Sequence, residues 1–112
     1  MRLEALLAAL GELFGPRLSL REAGGEERGV VLLWDGEVDC TAGLAEGGLE
    51  SVAWQLLSTA QDVWLQRLGE EGVHPGAWAT ASPDVSRDGV GLVLSLRGTE
   101  GVVASVRVPL TG

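Results

Sequence analysis

Two side chains suited to nucleophilic and acid–base chemistry occur once each in the chain, the thiol of Cys40 and the imidazole of His74. A nucleophilic cysteine requires a nearby base, and histidine is a common one. Cys40 lies in a predicted strand and is expected to point inward, whereas His74 precedes Pro75 in a predicted loop. A catalytic Cys40–His74 pair is therefore supported by residue type alone, since nothing in the spacing brings the two together.

Carboxylates are far more abundant, with sixteen Asp and Glu residues against eight arginines and no lysine. A hydrolase can be built on two carboxylates that converge in space. The adjacent pairs Glu26-Glu27 and Glu70-Glu71 fall in predicted loops, where a solvated surface is the ordinary explanation. The alternative function is therefore a small hydrolase-like enzyme that uses convergent carboxylates with His74 or Cys40.

Metal and cofactor sites have less support. Glu37 and Asp39 share one face of a predicted hairpin, but a metal site needs several convergent ligands, and no histidine is near in sequence. The glycine-rich segments lack the lysine of a phosphate-binding loop, and a single cysteine cannot form an internal disulfide. We expect no metal and no cofactor.

The net charge of −8 indicates which partners the protein avoids. An acidic surface repels phosphate backbones and anionic lipids, so we expect binding to neither nucleic acid nor membrane. The same charge favours solubility and would steer the protein toward a basic protein partner. No apolar run approaches the ~20 residues that span a bilayer, and acids within the N-terminal apolar stretch argue against a signal peptide. We expect a cytoplasmic protein.

The N-terminal third of the chain predicts a helix followed by strands. Leucines and Phe14 recur at helical spacing over residues 2–14, and Gly15-Pro16 ends the helix. Residues 17–22 alternate between apolar and polar side chains, and a polar glycine loop leads into the apolar run 30–34. Two such runs joined by a loop are typical of a β-hairpin.

Asp35-Gly36 predicts a second hairpin, because both central residues of a type I′ turn need positive φ. This turn places Trp34 opposite Glu37, and the register continues residue by residue along both strands. One face is then expected to be apolar and buried, and it consists of Val31, Leu33, Val38 and Cys40. The opposite face is expected to meet solvent or a partner, and it consists of Leu32, Trp34, Glu37 and Asp39.

Residues 49–69 predict a long amphipathic helix after Gly47-Gly48. Its apolar stripe consists of Leu49, Val52, Ala53, Leu56, Leu57, Ala60, Val63, Trp64 and Leu68. Trp54 and Leu65 lie away from this stripe, beside Ser58 and Gln61. They are either covered by loops and strand ends or form a second apolar strip that contacts another chain.

The C-terminal part predicts further strands. The segment 76–81, with Trp78, is interpreted as a short strand, and Pro83-Asp84 as the start of a loop. Residues 90–96 and 102–110 alternate clearly, and Gly101 supplies the positive φ of a bulged turn between them. This turn pairs Leu96 with Ala104, and Pro109 suits an edge strand.

These elements predict an α+β fold with an N-terminal helix, hairpin strands, a long central helix and a C-terminal β-hairpin. Consecutive strands with tight turns favour one antiparallel sheet of five to six strands, with the two helices packed mainly on one face. The whole chain, residues 1–112, is expected to form a single domain.

The function favoured by these observations is a small acidic, non-enzymatic binding or adaptor protein that acts through protein–protein contacts. Two helices hardly cover both faces of the sheet, so we expect a homodimer. The acidic character, small size and helix-then-strands order are similar to those of small secretion chaperones and bacterial immunity proteins, taken only as examples of this class. The candidate interface residues are Trp34, Glu37, Asp39, Trp54 and Leu65.

Overall fold

The structure, a computed structural model, describes residues 3–24, 29–44 and 46–109. The helices are α1 (Leu3–Phe14), α2 (Leu49–Glu70) and a 3₁₀ helix over Gly76–Thr80. The strands are β1 (Leu18–Glu22), β2 (Gly29–Trp34), β3 (Glu37–Gly43), β4 (Ser82–Arg87), β5 (Gly91–Gly98) and β6 (Gly101–Pro109). No helix in the described part of the chain is both long and apolar enough to span a membrane.

The α+β fold with two α-helices is confirmed, but the single sheet is wrong. The strands form two antiparallel three-stranded sheets, sheet 1 with the order β1-β2-β3 and sheet 2 with the order β4-β5-β6. Each sheet is a meander of neighbouring strands, and α2 separates the two along the chain. Helix α1 contacts β1 and β6, and α2 contacts β3, β4 and β5. The helices therefore join the two sheets instead of covering one face of a larger sheet.

A single hydrophobic cluster draws residues from α1, α2 and both sheets. Its fully buried large side chains are Leu6, Leu10, Leu18, Val30, Leu32, Leu56, Leu57, Leu92, Leu94, Leu96 and Val108. Burying a leucine side chain stabilises the fold by about 1.5–3 kcal/mol relative to exposure. This shared core holds the two sheets together, although no strand of one pairs with a strand of the other among the described residues.

The two helices confirm the predictions from hydrophobic periodicity. Helix α1 buries its leucine stripe together with Phe14 and is followed by Gly15, whose φ is +87°. Helix α2 buries most of the predicted stripe, and at its first residue Leu49 is 39% exposed. The helices end where positive φ or loss of apolar periodicity predicts. The helix was predicted to begin at Arg2, which lies outside the described residues.

The Asp35-Gly36 turn is confirmed, with φ values of +52° and +84° at its two central residues. The predicted pairs nearest the turn, Trp34 with Glu37 and Leu33 with Val38, are also present. Beyond them the register shifts, so that Leu32 pairs with Cys40 and not with Asp39. Asp39 is the extra residue of a β-bulge, which bends and twists the strand that carries it.

The predicted assignment of faces in this hairpin is wrong. Leu32 and Trp34 belong to the core, at 0% and 6% exposure, whereas Val38 is 57% exposed. Val31 is nevertheless buried, at 9% exposure. Alternation along β2 offers two faces of similar hydrophobicity, and the face with the larger aromatic side chain is the one that belongs to the core cluster. Cys40 packs partly against the core beside Leu32, because the bulge moves it to that face.

The segment after α2 also differs from the prediction. Residues 76–80 form a 3₁₀ helix and not a strand, and Pro83-Asp84 lie within β4 and not in a loop. Gln61 of α2 explains the change, because its side-chain amide donates to the carbonyls of Trp78 and Ala81. These two bonds hold the 3₁₀ turn against α2 and lead the chain into β4 along the helix.

The C-terminal hairpin confirms the predicted register, including the pair Leu96–Ala104. Gly101 has the predicted positive φ, at +127°, but it pairs with Gly98. The register shifts between Leu96 and Arg97, so the extra residue of the bulge is Val103 and not Gly101. Pro109 lies in β6, an edge strand of sheet 2, where a missing backbone N–H is tolerated. Leu110 and the loop residues 25–28 lie outside the described residues.

Candidate functional site

A groove of about 530 Å³ opens on the surface between α2 and β4. Trp54, which is 50% exposed, is the largest side chain in its wall, and Val85 of β4 lies on the opposite side. We call this surface the Trp54 groove. Its lining residues are Glu50, Ser51, Trp54, Gln55 and Val85. A half-exposed tryptophan in an apolar depression is typical of a contact surface.

The Trp54 groove exists because α2 runs antiparallel alongside β4. Near the start of α2, Glu50 forms an ion pair with Arg87 at the end of β4. Half a helix further on, Gln61 donates to the carbonyl of Ala81, just before β4 begins, at 2.7 Å. These two contacts fix both ends of the strand against the helix, and they bring Trp54 beside Val85.

Among the described residues β4 pairs with β5 and with no other strand, so it is an edge strand of sheet 2. The Asp88 N–H donates to the Gly91 carbonyl at 3.1 Å, so these two residues form a hydrogen-bonded pair. This pair determines which residues of β4 direct their backbone groups toward β5. Antiparallel pairs alternate between those that exchange hydrogen bonds and those whose N–H and C=O groups point away. Val85 and Arg87 therefore direct their backbone groups to the free edge, and so does Pro83, which has only a carbonyl to offer.

In the described part of the chain, more acids than arginines lie outside ion pairs. Five of the six arginines in the described part of the chain form ion pairs with acids, and they are Arg17, Arg67, Arg87, Arg97 and Arg107. Within the described residues, the acids outside these ion pairs are Glu4, Glu12, Glu22, Glu37, Glu46, Asp62 and Glu100. The surface left for partners is therefore acidic, because the ion pairs neutralise most of the described positive charge.

Two of the predicted interface residues, Trp34 and Asp39, contact other residues within the fold. Trp34 is 6% exposed, and the Arg17 guanidinium lies 4.5 Å from the centre of its ring. Asp39 is half-buried and pairs with Arg67 of α2, which raises the pKa of Arg67 above its ordinary value through their hydrogen bond. Glu37 is exposed. None of the three lines the Trp54 groove, and Asp39 connects sheet 1 to α2.

Arg17 forms the densest polar cluster of the described residues. It binds both oxygens of Asp35, at 2.9 and 2.6 Å, and both oxygens of Glu71, at 2.8 and 2.6 Å. Hydrogen bonds from Arg17 hold the pKa of each carboxyl below its ordinary value. The cluster joins the turn after α1, the Asp35-Gly36 turn and the end of α2, so its evident role is to fix three surface segments together.

The predicted second strip on α2 is only partly present. Trp54 is exposed, and Leu65 and Ser58 are half-buried, but Gln61 is 6% exposed. A polar residue at this place in a helix is expected to face solvent, whereas here it binds the backbone of the following segment. The structure therefore brings Trp54 to the groove with Val85, and it does not combine Trp54 with Leu65 in one exposed strip.

Cys40 is half-buried in β3, whereas His74 is exposed in the segment that follows α2. Burial, followed by the charge of the neighbouring Asp39, raises the pKa of the Cys40 thiol, which disfavours the nucleophilic thiolate. His74 is exposed, and its Nδ1 accepts a hydrogen bond from the Gly76 N–H at 2.9 Å. No hydrogen bond joins Cys40 to His74 in the described part of the chain. The geometry gives no support to a catalytic pair.

The carboxylate pairs do not converge in the described structure. Glu70 and Glu71 bind different arginines, Arg67 and Arg17. Glu26 and Glu27 lie outside the described residues. Among residues 3–24, 29–44 and 46–109, no group of three or more His, Cys, Asp or Glu side chains could hold a metal ion. Every buried side-chain nitrogen and oxygen in these ranges has a hydrogen-bond partner.

Trp54 is the one lining residue of the groove that the sequence predicted as an interface residue, and Val85 was missed together with its strand. The interpretation of Pro83-Asp84 as a loop removed this segment from consideration, although Pro83 is compatible with an edge strand whose outward N–H is missing. A usable signal was present in the alternation of Pro83, Val85 and Arg87 with polar residues between them. Such a short alternating run beside a proline is easily taken for a loop.

Fold and groove together define an α+β protein of two three-stranded sheets with an apolar groove beside an edge strand. No family model, curated protein or solved structure matches the chain.

Proposed function

We propose that the protein is a small acidic binding or adaptor protein that acts through protein–protein contacts, with the Trp54 groove as its contact surface. The observation that carries the proposal is the half-exposed Trp54 beside Val85 in the groove between α2 and β4. Tryptophan is enriched among the residues that dominate binding energy at interfaces. Trp54 is not an isolated exposed apolar residue, because it lines one groove together with Val85.

The charge distribution supports a basic protein as the heterologous partner. Glu46 and Asp62 are exposed acids just before and on the outer surface of the helix that carries Trp54, and neither forms an ion pair with a described residue. Acids that lack a partner attract a positively charged protein over a distance of about 8–10 Å at physiological salt. The resulting complex is expected to form faster at low ionic strength than at high ionic strength.

The test is affinity purification of the wild-type protein, a Trp54→Ala variant and a matched Val90→Ala variant. Val90 is 62% exposed in the turn between β4 and β5 and does not line the groove, so its replacement controls for the loss of an exposed apolar side chain. Proteins retained by wild type and Val90→Ala but lost with Trp54→Ala are then purified, and their binding is measured directly at two salt concentrations.

A basic protein whose affinity falls about tenfold or more with Trp54→Ala, and also falls as salt rises, supports the proposal. Retention of the same proteins by all three forms contradicts it, because the groove would then have no part in binding. Loss of binding with Val90→Ala as well would likewise assign the contact to another surface.

A further inference from the structure

The geometry of β4 points to a second copy of this chain as the occupant of the Trp54 groove, with the two β4 strands pairing antiparallel about a two-fold axis at Val85. This inference rests on the proposed function, because it uses the same groove as a protein-contact surface; a second copy fills the groove in the chain alone, and a basic protein would have to displace it. Its basis is the set of backbone groups at the free edge, which Pro83, Val85 and Arg87 supply.

The free edge of β4 is complementary to itself in this register. Two Val85 residues facing each other exchange both of their backbone hydrogen bonds. Arg87 of each chain then faces Pro83 of the other, and the Arg87 N–H donates to the Pro83 carbonyl. Proline lacks an N–H, so only the Arg87 carbonyl remains without a donor at this edge. Four hydrogen bonds thus join sheet 2 of one chain to sheet 2 of the other, which makes one six-stranded sheet.

Charges select this register from its neighbours. An axis at Val85 places Asp84 opposite Ser86 of the other chain, so no like charges face each other. An axis one residue earlier would place Asp84 opposite a second Asp84, and it would pair Val85 with a proline that cannot donate. An axis one residue later would place Asp84 opposite Asp88 of the other chain. Like charges directly opposite each other destabilise a pair of strands.

The apolar contacts agree with the backbone argument. Val85 packs against the core on the face that α2 covers, opposite Leu94. Pairing at Val85 therefore brings both copies of α2 to the same face of the extended sheet, with each Trp54 next to the axis. Complete burial of a tryptophan removes about 150–250 Å² from water, and Trp54, which is 50% exposed, has about half of that area left to bury. The remaining area of a stable interface comes from the β4 edges and the exposed side of α2.

Like net charge opposes this association. Each chain carries −8, so the two copies repel each other, and added salt screens that repulsion. Self-association should therefore strengthen as salt rises. Binding of a basic protein should weaken under the same change, so salt separates the second copy from a heterologous occupant.

The experiment first measures mass by analytical ultracentrifugation of the purified chain alone, over a range of concentrations at low and high salt. We expect a dimer whose dissociation constant falls with added salt and rises about tenfold or more in Trp54→Ala. Val90→Ala is the control and should dimerise like the wild type. A monomer at every concentration and salt overturns the inference, as does a dimer that Trp54→Ala leaves unchanged.

A cysteine pair then tests the register, in a Cys40→Ser background that removes the only native thiol. Asp84→Cys and Ser86→Cys proteins are prepared separately, mixed, and oxidised. Facing residues of a pair that does not exchange hydrogen bonds have Cα atoms about 4.5 Å apart, within the reach of a disulfide. We expect a cross-linked dimer in the mixture that contains one chain of each kind.

Efficient cross-linking of Asp84→Cys alone, or of Ser86→Cys alone, would place the axis at that residue and overturn the register. Failure of all three samples to cross-link would overturn the pairing of the β4 strands. The proposed function fails separately. A monomeric protein that still loses a basic partner with Trp54→Ala keeps the proposed function and refutes the dimer. A trapped dimer with no Trp54-dependent heterologous partner keeps the dimer and refutes the basic protein as partner.

Discussion

Gln61 donates its side-chain amide to the carbonyl of Ala81 at 2.7 Å, across 20 residues of sequence. The same nitrogen lies 3.2 Å from the carbonyl of Trp78, so one buried side chain satisfies the backbone at two points of the turn that precedes β4. This contact determines where β4 begins relative to α2. The shape of the Trp54 groove therefore depends on a residue that does not line it.

Replacing Gln61 with Leu should lower the free energy of unfolding by about 1–3 kcal/mol, because the Ala81 carbonyl loses the Gln61 amide and the Trp78 carbonyl keeps only the Ala81 N–H. Urea denaturation followed by tryptophan fluorescence measures the change. Gln66→Leu is the matched control, since Gln66 is exposed on the same helix, and it should change stability by less than about 0.5 kcal/mol. Equal stability of Gln61→Leu and wild type would mean that the bond contributes nothing to the fold.

The Arg17 cluster should make stability depend on pH in the acid range. Asp35 and Glu71 have pKa values below their ordinary values of 3.8 and 4.5, mainly because Arg17 donates hydrogen bonds to the charged carboxylates. The unfolded chain therefore binds more protons than the folded chain in this range. The contribution is fully present above the ordinary values and is lost as pH falls through the lowered ones.

The measurement compares the free energy of unfolding of wild type and Arg17→Met from about pH 6 to about pH 3. The difference between the two proteins should be largest near pH 6 and should shrink on acidification. Arg21→Met is the control, because Arg21 forms no ion pair with a described residue, and its difference from wild type should stay constant. A constant difference for Arg17→Met would contradict the assignment.

Local signals predicted much of this fold. Periodicity identified α1 and α2, and turn chemistry identified the Asp35-Gly36 turn and the pairing of β5 with β6. These features depend on residues close in sequence, whose spacing alone determines the geometry. The candidate site was predicted in part, because Trp54 was identified and Val85 was not.

The features that were missed depend on contacts between distant residues. The bulge at Asp39 allows its carboxylate to reach Arg67, 28 residues away, and no pattern within β3 indicates it. Gln61 has the polarity of a surface residue and becomes buried only because it binds the backbone near Ala81. The division into two sheets likewise follows from how α2 packs, which alternation along single strands does not encode.

Cys40 should react slowly with thiol reagents in the folded protein. Its side chain is half-buried, and burial followed by the charge of Asp39 raises its pKa above the ordinary 9.0. The rate of labelling should increase with pH, and the midpoint of this pH dependence should lie above 9.0. Denaturant should increase the rate about tenfold or more. Rapid labelling of the native protein near neutral pH would reopen the hypothesis of a nucleophilic cysteine.

Gly36→Val should destabilise the protein by about 1–2 kcal/mol, because a β-branched side chain resists the positive φ that the turn requires. Gly36 has φ +84°, and no atom lies within 4 Å of the point that a Cβ would occupy, so the cost is one of backbone conformation and not of space. Gly36→Asn should cost less, since Asn adopts positive φ more readily. Gly24→Val, at an exposed glycine with open space and no positive φ, is the matched control and should change stability little. Thermal unfolding measures all three, and equal losses in Gly36→Val and Gly36→Asn would show that positive φ at this turn has no energetic weight.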